Sequence, residues 1–222
     1  DGTMTIIPVS VYSVQVASSP TSFKVGGEPT GVAVSADGRW VYISEKTSNS
    51  LIVYDTVGQR IDATVPVGAG PWGVAVSADG ATAYVANNGA GTVSVVNTTT
   101  RQVVATIPVG LAPADLAPLG KSLYVANNGS GSISVIDSTS NKVIKTVTVG
   151  DQPWGVAATG SAVFVANYGS GTVSVIDAAS LKLVSTIKSG VNPFGVGMNG
   201  QQTVLVSNSG SNNLSNIAQR AP

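Results

Sequence analysis

Tyr84–Val96 reads YVANNGAGTVSVV, and the phrase returns as YVANNGSGSISVI at 124–136 and FVANYGSGTVSVI at 164–176. Looser copies stand at 42–54 (YISEKTSNSLIVY) and 205–217 (LVSNSGSNNLSNI). Inside each copy, alternating apolar and small residues run into an Asn/Gly turn and then alternate again, the pattern of a β-hairpin. Self-similarity at a fixed period marks a repeat architecture, and it governs every other reading of the chain.

A proline opens each unit, at Pro29, Pro71, Pro113, Pro153 and Pro193, at intervals of 42, 42, 40 and 40 residues. Four strands joined by tight turns need about 40–45 residues, the length of one propeller blade. In the second unit the expected strands are GVAVS (73–77), TAYVA (82–86), TVSVVN (92–97) and QVVATIPV (102–109), here termed a to d. Their alternation predicts half-buried strands, and no stretch carries a helix signal. The two-residue difference in period falls in the a–b turn, which is SADG at 35–38 and 77–80 and shorter in later units. There Asp tolerates the turn and Gly supplies a positive φ.

The ends complement each other. Residues 3–28 correspond to strands c and d of a unit without a beginning, with Val9, Val11 and Tyr12 where Leu51, Val53 and Tyr54 fall. The C-terminal stretch supplies strands a and b at 195–197 and 203–207. The expectation is a single all-β domain over 1–222, a five-bladed propeller of four-stranded blades. Its ring is closed by a composite blade from 193–222 and 1–28, which removes both sheet edges. Strand c of that blade could come from Val9–Ser13 or from Leu214–Ala218.

Composition narrows the chemistry. Charged residues make up 10% of the chain, against about 25% for an average soluble protein. Eleven basic and eleven acidic residues balance, so no net field draws nucleic acid or an anionic membrane. Polarity comes instead from Ser, Thr, Asn and Gly, a composition common in exported proteins. The start at Asp1 rather than Met is expected of a mature or trimmed chain. Without His or Cys the chain lacks the usual general base near neutral pH, the commonest metal ligand, thiolate sites and disulfides. No metal-ligand or phosphate-loop spacing occurs, and no cofactor is expected. No stretch reaches the roughly 18 uninterrupted apolar residues of a membrane span.

With Tyr84-Val85-Ala86-Asn87, the NNGxGTVSV turn, VATIPVG at 104–110 and PWGVAVSADG at 71–80 in view, the chain resembles the YVTN-type β-propeller repeats of bacterial and archaeal surface and periplasmic proteins. The likeness covers nearly the whole chain and implies the propeller fold. It implies an extracellular, cell-surface or periplasmic location. For function it spans surface-layer modules, nucleic-acid-binding periplasmic proteins, sugar-lactone hydrolases and antibiotic lyases. The lyase-like members are expected to use His, which this chain lacks.

Strand alternation places the d–a and b–c loops on one face of the disc, the face on which a protein or glycan partner is expected. After each opening proline comes Thr30, Trp72, Ala114, Trp154 or Phe194. The three aromatics are candidate stacking platforms for a ligand, or wedges between blades. On the b–c loops, Asn88 and Asn128 precede Gly and read as left-handed turn residues, or as ligand contacts. The first Asn of each phrase is expected to bond its own loop backbone. Departures from the repeat (Glu28, Glu45, Asp115, Asp151 and Tyr168) are further candidates for the same face, and paired carboxylates would permit acid–base work. The expected function is a non-catalytic extracytoplasmic binding or structural module. The alternatives are a glycan or small-ligand binder at the channel mouth, and a propeller hydrolase or lyase such as a lactonase.

Overall fold

The computed structural model describes residues 2–6, 9–10, 13–16, 21–198 and 203–218. The described chain opens with β1 (Thr3–Ile6), β2 (Val9–Ser10), β3 (Ser13–Val16) and β4 (Thr21–Lys24). β1 pairs with β4 and β2 with β3, both antiparallel. The first blade is β5 (Pro29–Val34), β6 (Trp40–Glu45), β7 (Ser50–Asp55) and β8 (Arg60–Pro66). The second is β9 (Pro71–Val76), β10 (Thr82–Asn87), β11 (Thr92–Asn97) and β12 (Gln102–Pro108). The third is β13 (Pro113–Leu119), β14 (Ser122–Asn127), β15 (Ser132–Asp137) and β16 (Lys142–Thr148). The fourth is β17 (Pro153–Thr159), β18 (Ala162–Asn167), β19 (Thr172–Asp177) and β20 (Lys182–Lys188). A three-stranded sheet follows, of β21 (Pro193–Met198), β22 (Thr203–Asn208) and β23 (Asn213–Ala218). Each of the four blades and the three-stranded sheet is an up-and-down meander, and Asn128–Ser130 forms a single 3-10 turn.

Strands b and c are not half-buried. In β10 both Tyr84 and Val85 lie within 4% of full burial, although they point to opposite faces. Each blade is sandwiched between neighbours, so apolar residues are needed on both sides. One face of the first blade carries Tyr42, Leu51, Val53 and Val65 onto Val74, Ala83, Val85 and Val96 of the second. Tyr84, Val93 and Val95 meet Leu116, Leu123, Val125 and Ile136 in the same way. Tyr124, Ile133 and Val135 then meet Val156, Val163, Val165 and Ile176, and Phe164 and Val173 meet Val204 and Val206. The repeated aromatic of the YVAN phrase is thus the knob of every blade-to-blade contact. Strand d is mostly exposed and forms the rim. A register shift recurs at the same place in the c–d pair of each of the four blades, between Val53 and Tyr54 and at its equivalents. Such a bulge bends the strand and raises its twist.

On the far side of the disc, Arg101 reaches back over Trp40 at 4.2 Å from the ring centre and pairs with Asp62 at 3.0 Å. This clasp joins the first two blades.

The ends depart from expectation. β1 and β4 do take the places of strands c and d, packing Met4 and Phe23 on Val41, Ile43, Ile52 and Tyr54, with Phe23 stacked 4.0 Å from Tyr54. Gly2 matches Asn49: both have positive φ (66° and 52°), and their carbonyls accept bonds from Val25 and Val67. Strand c is therefore Thr3–Ile6 rather than a strand at Val9; Val11 and Tyr12 lie outside the described residues. β22 pairs with β23, so the C-terminal candidate supplies strand c of the last sheet. Two apolar faces are left bare. Leu205 (37% exposed) and Leu214 (66%) hold positions that are buried in the four blades, as Tyr42 and Leu51 are. Val32 (61%) and Val34 (54%) line a groove of about 480 Å³ beside Thr3, Met4 and Thr5.

Removing residues 1–25 would expose Val41, Ile43, Ile52 and Tyr54 beside a groove that is already apolar. The truncated chain is expected to aggregate in light scattering at concentrations where the full chain stays dispersed. A dispersed, folded truncation would show that β1 and β4 do not protect this face.

Candidate binding site at the channel mouth

The d–a loop that opens each unit is hydrogen-bonded to that unit's b–c loop. Lys46 donates its amide to Glu28, Asn88 to Gly70, Asn128 to Ala112, Tyr168 to Gln152 and Ser209 to Asn192, all at 2.9–3.1 Å. Both loop sets therefore share one face, as alternation requires.

The first Asn of each phrase is a buried strut. The Nδ2 of Asn87 donates to the hydroxyls of Thr92 and Ser94, and Asn167 repeats this with Thr172 and Ser174. The Oδ1 of Asn127 accepts from the Gly110 amide at 3.1 Å, and that of Asn208 from Gly190 at 3.1 Å. The strut explains the glycine of each VG or SG pair. A Cβ at Gly68, Gly110 or Gly150 would fall within 2.7 Å of this side chain.

Glu45 replaces the strut in the first blade. It is 1% exposed and accepts amide bonds from Gly27, Glu28, Thr47 and Ser48. Burial alone would raise its pKa, but the bonds from Ser48, Glu28 and Thr47 outweigh it and hold the carboxyl at about 2. It is a buried anion that holds the two loops together.

Asn88 and Asn128 do not adopt left-handed backbone; that conformation falls on Gly91 and Gly131, which close the turn. Their Nδ2 groups instead donate to the carbonyls of Pro113 and Pro153 in the next blade, at 3.2 and 3.3 Å. They tie blades together beside the mouth.

The aromatics converge. Trp72 and Trp154 meet edge to face at 5.6 Å, and Trp154 stacks on Phe194 at 4.9 Å. Tyr168 completes the cluster, 6.4 Å from Trp154 and 6.5 Å from Phe194. Trp72 and Trp154 come from the second and fourth blades, and they can touch because the blade between them offers only Ala114 at that position. The rings do not wedge between blades. They line a central cavity of about 210 Å³ with Thr30 and Asp115, and Phe194 remains 40% exposed. Thr30 is fixed by donating to the Pro71 carbonyl at 2.9 Å.

Of the remaining acids, Glu28 pairs with Lys46 at 2.8 Å. Both are exposed, so the pair contributes at most about 1 kcal/mol. The Lys46 ammonium also lies 5.6 Å from the Trp72 ring centre. Asp151 is exposed at the rim of the same face. Asp115, where other units have Gly, accepts bonds from the amides of Leu116 and Val156 at 2.9 and 3.0 Å. Burial pushes its carboxyl up, against those two bonds. Among the described residues, no group of three acidic side chains is placed to hold a metal ion. Trp72, Trp154, Phe194 and Tyr168 are thus brought together with Asp115. Glu45, Asn88 and Asn128 serve the framework. Lys46 is the mouth residue that sequence reasoning passed over; its only sequence signal is its place in the b–c loop beside Glu45.

Four consecutive four-stranded meanders with their first strands around one channel define a β-propeller. The model of the YNCE-like β-propeller family matches residues 5–162, and the chain belongs to that family. No curated protein matches it. It is similar in fold to a functionally unknown protein from Desulfotomaculum acetoxidans DSM 771, with a TM-score of 0.80 at 13% identity over 97% of this chain and 75% of that one. Hydrazine synthase of Kuenenia stuttgartiensis is also similar, with a TM-score of 0.61 at 19% identity over 97% and 89%. At such identities the likeness concerns the fold alone.

The Glu45 carboxyl, held at about 2 against an ordinary 4.5, stabilises the fold above pH 4.5 and loses that contribution as pH falls toward 2. The full effect is on the order of 3 kcal/mol. Glu45→Gln is expected to lower the urea midpoint at pH 7 and to flatten stability between pH 5 and 3. An unchanged pH profile would mean that the four amide bonds do not favour the anion.

Proposed function

We propose that this propeller is a non-catalytic, extracytoplasmic binding module of the YVTN-repeat type, and that its binding surface is the aromatic mouth of the channel. One contrast carries the reading. The rings from three units gather at an open mouth, while the inward-facing carboxylates are occupied one by one with backbone amides. Acid–base work by paired carboxyls needs two of them facing one substrate. Here Glu45 is enclosed by four amides, Glu28 is paired with Lys46, and Asp115 stands without a second acid among the described residues of the cavity wall. Exposed aromatic faces flanked by polar groups suit a small ligand held by stacking. The weak charge and the Ser/Thr/Asn/Gly-rich surface support export or display on a cell surface.

We further propose that five units make the functional ring, closed when β22 takes β1 as its c-strand neighbour in place of β23. Two bare apolar faces at the two ends support this. By the register of β6 with β7, Val206 would then face Thr5, as Ile43 faces Ile52. The cysteine-free chain allows a direct test. A Thr5→Cys, Val206→Cys variant is expected to form an intramolecular disulfide on mild oxidation, read as a faster-migrating monomer. A disulfide-linked dimer, or free thiols, would contradict closure.

For the site, intrinsic fluorescence against a panel of glycans, aromatic compounds and organic cations is expected to find a ligand quenching Trp72 and Trp154. Trp72→Ala and Trp154→Ala should abolish binding with little change in melting temperature. Variants that unfold would identify the rings as framework instead.

A further inference from the structure

We infer that the channel-mouth site takes a small organic cation, a quaternary or tertiary ammonium, seated among Trp72, Trp154 and Phe194 with Asp115 as its counter-charge. The inference rests on the binding reading above and names its ligand class. Three observations carry it. First, the rings of Trp72, Trp154 and Phe194 line the same cavity as Asp115, the only charged residue among the described residues of its wall. An aromatic enclosure with one carboxylate, and no lining Lys or Arg among the described residues, attracts positive charge and disfavours anions.

Second, the Asp115 carboxylate has acceptor capacity left. It accepts one bond at each oxygen, from Leu116 and Val156, and an ionised carboxyl offers about four lone-pair positions. It stands where the repeat has Gly, so a charge enters the channel at one blade alone. The same buried position raises its pKa, a penalty that a bound cation would relieve.

Third, the molecule already shows the interaction. The Lys46 ammonium reaches from the first blade to 5.6 Å from the Trp72 ring centre. Lys46 therefore acts as a tethered competitor at the mouth, held off by Glu28 at 2.8 Å. The cavity, about 210 Å³, is smaller than the roughly 300 Å³ of drug-sized sites and fits a compact headgroup.

The test titrates the full chain with tetramethylammonium, with choline, and with 3,3-dimethylbutan-1-ol, the neutral isostere of choline. Tryptophan fluorescence and calorimetry read the binding. Both cations are expected to bind at least tenfold more tightly than the neutral alcohol. Asp115→Asn is expected to weaken the cations at least tenfold and to leave the alcohol unchanged. Should that variant unfold, the exposed Lys46→Gln carries the test: freeing the Trp72 face should tighten cation binding about threefold or more, a gain that a purely structural lysine would not produce. Equal affinity for alcohol and cations overturns the inference while leaving the mouth a stacking site. Glycan or neutral aromatic binding without cation binding does the same. No binding by any member of the panel to folded protein overturns both this inference and the binding reading.

Discussion

Everything in this molecule depends on strands b and c burying both of their faces. A sheet with one wet face would need polar residues at every second position. Here Tyr84 and Val85, adjacent and opposed, are both within 4% of full burial. Such a sheet cannot stand alone and is stable only between two others, which makes each blade a condition for the next. The repeated Tyr or Phe of the phrase fills the space between blades, and the buried Asn strut sets the spacing of the loops above it. Because Asn87, Asn127 and Asn167 are wholly buried, a misfit that removed the hydroxyl partners of one Nδ2 would leave a buried donor unpaired, at about 1–3 kcal/mol. The loops at the mouth are therefore held on a rigid frame.

That rigidity explains how four aromatic side chains from three units reach one place. The inner strands converge on the channel, and the residue after each proline is carried to its mouth. Variation at that position sets the outcome. Trp in the second and fourth blades, Phe in the last sheet and Ala in between let rings meet across the channel. Thr30 uses its hydroxyl to bind the next blade instead. The frame is common to every unit, and the departures from it make the site.

The blades were legible in the sequence because their physics is local. Strand c was expected at 92–97 and is found at Thr92–Asn97, since alternation and the Asn/Gly turn state its limits directly. The glycines of the SADG turns, Gly38 and Gly80, have positive φ as expected, and Gly120 and Gly160 of the shorter turns share it. Contacts between units were less legible, because spacing along the chain does not say which loop meets which ring. Lys46 over Trp72 and Arg101 over Trp40 are contacts of this kind. Asn88 and Asn128 looked like turn residues because Asn-Gly favours such turns, yet the left-handed conformation falls three residues later. The end strands are the least legible in the sequence. Val9 and Leu214 both alternate passably, and neither periodicity nor turn chemistry registers that Thr3–Ile6 pairs with Thr21–Lys24 across a longer connection.

Native-state hydrogen exchange tests the central claim most directly, that stability resides in the doubly buried b and c strands of the stacked blades. Amides of β10, β11, β14, β15, β18 and β19 should exchange slowest and together, near the limit set by global unfolding. Those on the outward edges of β12, β16 and β20 should exchange far sooner. Uniform protection across all four strands, or the slowest exchange in the rim strands, would contradict the account.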